Sequence, residues 1–373
     1  MPNLFLIDGI SGSGKSEFMD HCERMGSGEN KFISKYTTKP QNQESYKRRD
    51  LIYVTEDEYK KLRTGEFFEY IYPENEDTKK RVTYLLKKED LDDHLRRYKN
   101  VFVIIRNTKT IMKIKEAYSN YLNINVVTIF VYCDNEKLKA RTRNQIVQEN
   151  NYTDKDLENE LVKEKIDCAI SSRLRRNDEC LRSYIDSLKS ADLRYDYVIL
   201  NDLDIVKYKT CVDDILTKYV DFDKKFANLS AFVIMPMPNS REGAHFFKVK
   251  EAIYLGAQKA GFSALRQDDN VYSQDTIYNE IKKSIDEAIV CIVDLTNSRP
   301  NCYFEAGMAF FKAKGKIPTA FLIAEKGSPI EFDLSGITRT EYIYSANDYS
   351  NVELVVETLL KEFKRQHIFP TEF

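Results

Sequence analysis

The run Leu4-Phe5-Leu6-Ile7-Asp8-Gly9-Ile10-Ser11-Gly12-Ser13-Gly14-Lys15-Ser16 joins a compact apolar strand to a glycine loop, and helical sequence follows from Glu17 to Met25. Residues Gly9 to Ser16 fit G-x-x-x-x-G-K-[ST] in the strand–loop–helix context that the motif requires. The glycines let backbone N–H groups turn inward on phosphate oxygens, Lys15 reaches the terminal phosphates, and Ser16 is placed to hold Mg²⁺. Gly9, Ser11, Gly12, Ser13, Gly14, Lys15 and Ser16 are therefore the expected anion cradle.

A second segment opens in the same way. Ala231 to Met235 (AFVIM) is another short apolar run leading into a loop and then helical sequence. Each such opening starts a parallel sheet. The chain has 373 residues, is 42% hydrophobic and 31% charged, and so suits two cores of roughly 150 to 200 residues each. The polar stretch Val220 to Leu229 separates them, giving domains over 1–220 and 229–373. Further buried strands are expected at Asn100–Arg106, Asn125–Tyr132 and Tyr195–Leu200, then at Ala288–Asp294 and Pro318–Ala324. Helices are expected at Glu136–Gln148, Asp154–Leu188, Cys211–Tyr219 and Tyr303–Lys314. The class is α/β in both halves, without internal repeat.

Charge and cysteine usage narrow the function. Fifty-seven Lys and Arg against 59 Asp and Glu leave a net charge of −2, which supplies no general attraction to nucleic acid or to an anionic membrane. Seven cysteines without a C-x-x-C pair, and four scattered histidines, point to reduced thiols and offer no zinc or iron set. With no basic leader and no long apolar stretch, a cytoplasmic location is expected.

Beyond the glycine loop, Leu4 to Tyr219 resembles the guanylate kinases. The resemblance runs through Ser34-Lys35-Tyr36-Thr37-Thr38-Lys39-Pro40, Asp50-Leu51-Ile52-Tyr53-Val54, Gly65-Glu66-Phe67-Phe68-Glu69, Arg141-Thr142-Arg143 and Tyr197-Val198-Ile199-Leu200-Asn201-Asp202, in that order. It implies a P-loop nucleoside monophosphate kinase fold with ATP and Mg²⁺ as cofactors. It also implies lid arginines Arg141 and Arg143, a further arginine Arg173 on the transferring phosphoryl group, and Asn201 near the adenine. A metaphosphate-like transition state needs such fixed cations. On the acceptor side Ser34, Glu69 and Thr83 match. Lys39 stands where the family has an arginine, Gln41-Asn42-Gln43 replaces another, and Arg106 replaces an acidic residue that meets guanine. An arginine only donates hydrogen bonds where a carboxylate accepts them, so the acceptor code is inverted and GMP is a poor fit. Lys47, Arg48 and Arg49 form a basic trio that is either a substitute phosphate grip or plain surface.

A second chemical signal is Asp294-Leu295-Thr296-Asn297-Ser298-Arg299-Pro300-Asn301-Cys302-Tyr303-Phe304-Glu305-Ala306-Gly307, which begins at the carboxyl end of a strand, where α/β sheets hold ligands. Asn301 is placed to cap the helix, and Glu305 lies one turn inside it on the same side. A carboxylate in an otherwise apolar helix needs either a partner or a task. This pattern, with Phe232-Val233-Ile234-Met235-Pro236, Tyr278-Asn279-Glu280-Ile281 and Glu331-Phe332-Asp333-Leu334, resembles the nucleoside 2-deoxyribosyltransferase-like family, related to TIR domains. That resemblance implies a Rossmann-like, flavodoxin-like sheet and Glu305 as nucleophile at the anomeric carbon of a nucleoside or nucleotide. It further implies Asp294 orienting the sugar or assisting proton transfer, and a homo-oligomer formed through the C-terminal domain. In the loop after the strand, Ser240 and Arg241 are candidates for gripping a 5′-phosphate. Asp268 and Asp269 either line the same cleft or form a solvated turn.

Three whole-chain readings follow. One is a bifunctional enzyme of nucleotide metabolism, pairing phosphorylation of a monophosphate other than GMP with cleavage or transfer at an N-glycosidic bond. The second is a nucleotide-sensing effector whose TIR-like half degrades NAD. The third is a nucleotide-binding protein without turnover. All three make small-molecule nucleotides the partners.

Overall fold

The structure, a computed structural model, describes residues 2–25, 28–41, 49–73, 81–189, 193–201, 204–219, 229–236, 243–266, 277–312, 317–329, 338–345 and 348–370. The chain forms two compact units. One comprises Met1–Ser119, Ile124–Val220 and Pro370–Phe373, and the other Asn120–Asn123 and Asp221–Phe369. Except for Leu229, the expected linker lies outside the described residues.

In the first unit the chain runs β1 (Asn3–Gly9), α1 (Lys15–Met25), β2 (Asn30–Phe32), β3 (Lys35–Thr37), β4 (Leu51–Tyr53), α2 (Glu56–Leu62), β5 (Phe67–Pro73), β6 (Arg81–Lys87) and α3 (Lys88–Arg97). It continues through β7 (Asn100–Ile104), α4 (Thr108–Tyr118), β8 (Asn125–Tyr132), α5 (Asn135–Glu149), α6 (Asp154–Leu157), α7 (Glu160–Lys189), β9 (Tyr197–Leu200) and α8 (Ile205–Thr217). The main sheet has the order β2-β7-β1-β8-β9 and every pairing is parallel. The α/β class and the buried strand β1 at its centre are as expected. A second sheet, β4-β3-β6-β5, contains antiparallel pairs and was not legible as strands. The helix expected over Asp154–Leu188 is interrupted. Thr153 and Asp156 close a capping box on α6, and Asn159 accepts from the Leu161 amide at 2.9 Å to begin α7. Two caps in six residues outweigh continuity.

Register explains why these strands pair as they do. Asn30, Asn100, Asn3 and Asn125 open β2, β7, β1 and β8 and are aligned across the sheet. Asn100 Nδ2 donates to Asn30 Oδ1 at 2.8 Å, Asn3 Nδ2 to Asn100 Oδ1 at 2.7 Å, and Asn125 Nδ2 to Asn3 Oδ1 at 2.8 Å. Two residues on, Phe32, Phe102 and Phe5 stack, with ring centroids 4.7 and 4.8 Å apart. A slip by one residue would break both rows and turn these rings to the other face. Each stacked pair contributes about 0.5–1.5 kcal/mol beyond its burial.

The second unit runs β10 (Ser230–Ile234), α9 (Gly243–Lys259), β11 (Ser263–Leu265), α10 (Ile277–Glu287), β12 (Val290–Asp294), α11 (Pro300–Lys312), β13 (Ala320–Glu325), β14 (Arg339–Tyr342) and α12 (Ser350–His367). All pairings in its sheet, β11-β10-β12-β13-β14, are parallel. This is the flavodoxin-like order 2-1-3-4-5. Both faces are covered: Val233, Val290 and Ile292 join the core of α9 and α12, while Phe232, Cys291 and Val293 join that of α10 and α11. Burial on two sides gives these strands continuous apolar runs instead of alternation.

Removing Asn3 from the four-strand row leaves two half-buried amides, those of Asn100 and Asn125, short of a partner. Asn3→Ala is expected to cost about 1–3 kcal/mol in a urea titration, with an unchanged slope.

Candidate functional sites

At the end of β1 the chain meets the neighbouring strand so closely that a Cβ on Gly9 (φ +139°) would stand 2.1 Å from the Val131 carbonyl oxygen. Gly14 (φ +103°) is equally constrained, since a Cβ there would stand 2.1 Å from Asn201 Nδ2. Only glycine fits at either place. The loop between them is braced by other elements. Asn201 Nδ2 donates to Ser13 O at 2.7 Å, Tyr208 of α8 donates to Gly14 O at 3.1 Å, and buried Asn177 of α7 bonds both the amide (2.8 Å) and carbonyl (3.2 Å) of Ser11. The Lys15 ammonium donates to Gly9 O at 2.8 Å and Ile10 O at 2.6 Å, which holds its charge over the loop.

The lid residues divide. Arg141 of α5 donates to Asn201 O at 3.1 Å and to Cys133 Sγ at 3.3 Å, so it lies against the loop's own brace. Arg173 of α7 donates to Gln145 at 2.8 Å and Thr142 at 3.4 Å, which brings it onto the helix that carries Arg141. Arg143 is exposed, as is Ser16. Asn201, expected beside an adenine, is buried as a strut of the loop because its amide and carbonyl are taken by Ser13 and Arg141. Asp202 lies outside the described residues.

Asp8, one residue before the loop, escaped the sequence reading. Burial pushes its carboxyl up. The Tyr195 hydroxyl (2.6 Å), the Gly9 amide (2.6 Å) and the charges of Lys15 and Arg106 oppose that rise. The signal was an acid ending an apolar strand directly ahead of a phosphate loop.

On the acceptor side, Glu69 of β5 is engaged by α2: Tyr59 donates to it at 2.6 Å and the Arg63 guanidinium lies 3.5 Å away. Ser34 donates to Arg49 O at 2.5 Å, and the Lys39 amide donates to Thr37 Oγ1 at 3.1 Å. Thr83 of β6 bonds through its backbone to Thr37 and Thr38. Arg106, just past β7, acts electrostatically on both Asp8 and Tyr70, and Tyr70 stacks on Tyr84 at 4.9 Å. Arg106 is thus within electrostatic reach of both the loop's acid and Tyr70 of the aromatic pair. Residues 42–48, including Lys47 and Arg48, lie outside the described residues.

In the second unit, a cavity of about 360 Å³ opens at the carboxyl ends of β10 and β11, lined by Phe232, Met235, Arg266, Ile277, Ile281, Arg299, Asn301, Cys302 and Glu305 among others. Glu305 reaches it from α11 and is half-buried. Burial pushes its carboxyl above the ordinary glutamate value, and the charge of Arg266 opposes the rise. Asn301 lines the cavity but does not cap the helix. Pro300 takes the first helical position, where its fixed φ and missing N–H cost nothing.

Asp294 is elsewhere. It is fully buried at the end of β12, and among the described residues the cavity lining does not include it. Its Oδ1 accepts from the Thr296 amide (3.0 Å) and hydroxyl (2.6 Å), and its Oδ2 from the Tyr342 hydroxyl (3.1 Å). This lock fixes the turn before α11, in which Asn297 (φ 63°) and Ser298 (φ 46°) are left-handed. Strain at two adjacent non-glycine residues is typical of functional turns. Next to it, His245 of α9 bonds the Tyr349 hydroxyl at 3.2 Å and lies 3.9 Å from Glu325, a grouping that no sequence spacing announced. Ser240, Arg241, Asp268, Asp269 and 331–334 lie outside the described residues.

Among the described residues no group of three or more His, Cys, Asp or Glu is arranged to hold a metal, and no helix is long and apolar enough to cross a membrane. No protein-family model matches the chain, and no curated protein does. Among solved structures, a guanylate kinase from Anaplasma phagocytophilum is similar at 15% identity and a TM-score of 0.36, over 59% of this chain and 88% of that one. A likeness that distant assigns no function.

The Asp294 lock generates a pH-dependent expectation. Its folded carboxyl titrates above the ordinary 3.8, so its contribution to stability is largest in acid and is lost as pH rises through the folded value. Tyr342→Phe removes a donor that favours the charged form. Its cost, about 1–3 kcal/mol, should therefore grow from acid to neutral pH in paired denaturation curves.

Proposed function

We propose that the chain is a bifunctional enzyme of nucleotide metabolism. Its first unit phosphorylates a nucleoside monophosphate other than GMP at the expense of ATP, and its second cleaves or transfers at the N-glycosidic bond of a nucleotide. The observation that carries the second activity is a half-buried carboxylate, Glu305, lining a cavity at the carboxyl ends of parallel strands. The first rests on a phosphate loop in which Gly9 and Gly14 have no room for a side chain and whose lysine lies across its carbonyls.

In the first unit the loop amides and Lys15 fit a nucleoside triphosphate, and the exposed Ser16 hydroxyl fits the Mg²⁺ that accompanies it. The metal neutralises phosphate charge when bound. Lys15 then holds the terminal phosphates, and Arg141 with Arg173 supplies positive charge as an oxygen of the acceptor phosphate displaces ADP. Arg106 donates to the acceptor, while Glu69, already held by Tyr59 and Arg63, is poorly placed to read guanine. That same engagement favours a second reading, in which this unit senses a nucleotide and the other degrades NAD.

In the second unit an oxygen of Glu305 attacks the anomeric carbon as the carbon–nitrogen bond breaks. The electron pair leaves with the base, which takes up a proton, and a glycosyl ester remains. Water, or a nitrogen of a second base, then attacks the same carbon, gives up a proton and restores the carboxylate. Asp294, whose oxygens are committed to Thr296 and Tyr342, serves this chemistry by holding the turn that leads into the nucleophile's helix.

Incubation with ATP, Mg²⁺ and each monophosphate, and separately with each monophosphate and NAD, followed by chromatography of ADP and free base, tests both halves. Lys15→Ala is expected to lower ADP formation by about 10²–10³-fold with base release intact, and Glu305→Gln to lower base release by about 10³-fold or more with ADP formation intact. Nicotinamide release in place of nucleobase release would favour the sensing reading, and loss of both activities in either variant would refute independent sites.

Base release requires ionised Glu305. Because its carboxyl titrates above the ordinary 4.5, the rate should be full on the alkaline side and fall on acidification with a midpoint above 4.5. A pH profile of kcat/KM checks this.

A further inference from the structure

We propose that Arg266, a buried cation lining the same cavity, is the positioning residue for Glu305 and favours the carboxylate form that attacks. The inference rests on the reading of Glu305 as nucleophile. Arg266 directly follows β11, only 5% of it is exposed, and it shares the cavity wall with Glu305, which comes from α11. No motif or spacing links the two. They share a cavity because β11 pairs with β10 and α11 packs on it.

Part of the wall around them is apolar, with Arg299 and Asn301 as its other polar members. Phe232, Met235, Ile277 and Ile281 contribute apolar surface, and a carboxylate there is driven toward its protonated, non-nucleophilic form. Among the described residues, Arg266 after β11, Arg299 ahead of α11 and Cys302 on α11 line the cavity, and the charge of Asp294, enclosed at the end of β12, reaches Cys302. The Cys302 thiol responds to all of them. It is pushed up to about 12, chiefly by burial, with Glu305 and Asp294 adding to the rise and Arg266 and Arg299 opposing it. Asp294 is committed to Thr296 and Tyr342, and among the described residues Arg266 is the cation whose charge acts on Glu305. A guanidinium suits the role because it keeps its proton even when buried. It also acts on both halves of the reaction. Ester formation consumes the carboxylate charge that Arg266 favours, and attack of water restores it, so the arginine discourages the ester from persisting.

The test reads Glu305 without substrate. A water-soluble carbodiimide with glycine amide labels protonated carboxyls, and mass spectrometry of the Glu305 peptide across a pH series reports the protonated fraction, with Glu305→Gln as the blank. In Arg266→Met the labelling midpoint should move to higher pH, with several-fold more label in mild acid, and Arg266→Lys should return it toward the parent. The acid limb of base release should move the same way. Where Arg266→Met does not fold, Arg266→Gln takes its place, with melting and circular dichroism as the check. An unmoved midpoint in a folded neutral variant overturns the proposal. A moved midpoint in a protein that releases no base from any nucleotide supports the pairing while removing the glycosidase reading, so the two failures are told apart.

Discussion

Parallel pairing is the constraint from which both units are built. Strands that all run one way deliver their carboxyl ends, and the loops that follow them, to a single edge of the sheet, and there the backbone can bring groups from distant segments together. In the first unit that edge carries the phosphate loop after β1, Arg106 after β7 and Asn201 after β9. In the second it carries the turn after β12, with Arg266 after β11 and Glu325 at the end of β13. Parallel sheets must also be covered on both faces, which explains why the strands are apolar throughout and why polar side chains within them are tied into rows. The asparagine row at the amino-terminal edge of the first sheet is the clearest example, since it satisfies the buried Asn3 and its half-buried neighbours and sets the register together.

Around the phosphate loop, the chain spends its polar groups on rigidity. Asn177, Asn201 and Tyr208 come from α7, the end of β9 and α8, and each bonds the main chain of the loop. An anion site made of amides works only when those amides already point inward, so braces supplied from outside are part of the site. Asp8 is the cost of this arrangement: a buried acid beside a lysine and an arginine, with its charge spread over a tyrosine and an amide.

The second unit separates two carboxylates by environment. Asp294 is fully enclosed and hydrogen-bonded on both oxygens, which makes it a strut. Glu305 is half-buried and lines a cavity that a buried arginine, Arg266, also lines. Two acids eleven positions apart in one motif thus receive different environments from burial and partners, the setting in which carboxylates elsewhere take different roles.

Local chemistry was legible in the amino-acid order: the glycine spacing of the loop, the apolar runs of β1, β8, β10 and β12, and the isolated acid in the helix of Glu305 each follow from forces between near neighbours. The antiparallel pairs among β3, β5 and β6 were not, because these strands mix buried and half-exposed positions and carry no long apolar run. Nor was the break between α6 and α7, where competing caps decide. The roles of Asn201 as a brace, of Asp294 as a strut and of Arg266 as the cation near Glu305 belong to the tertiary structure alone. Burial and electrostatic pairing depend on distance in space, and only the crossing of strands brings residue 266 to the cavity wall of residue 305.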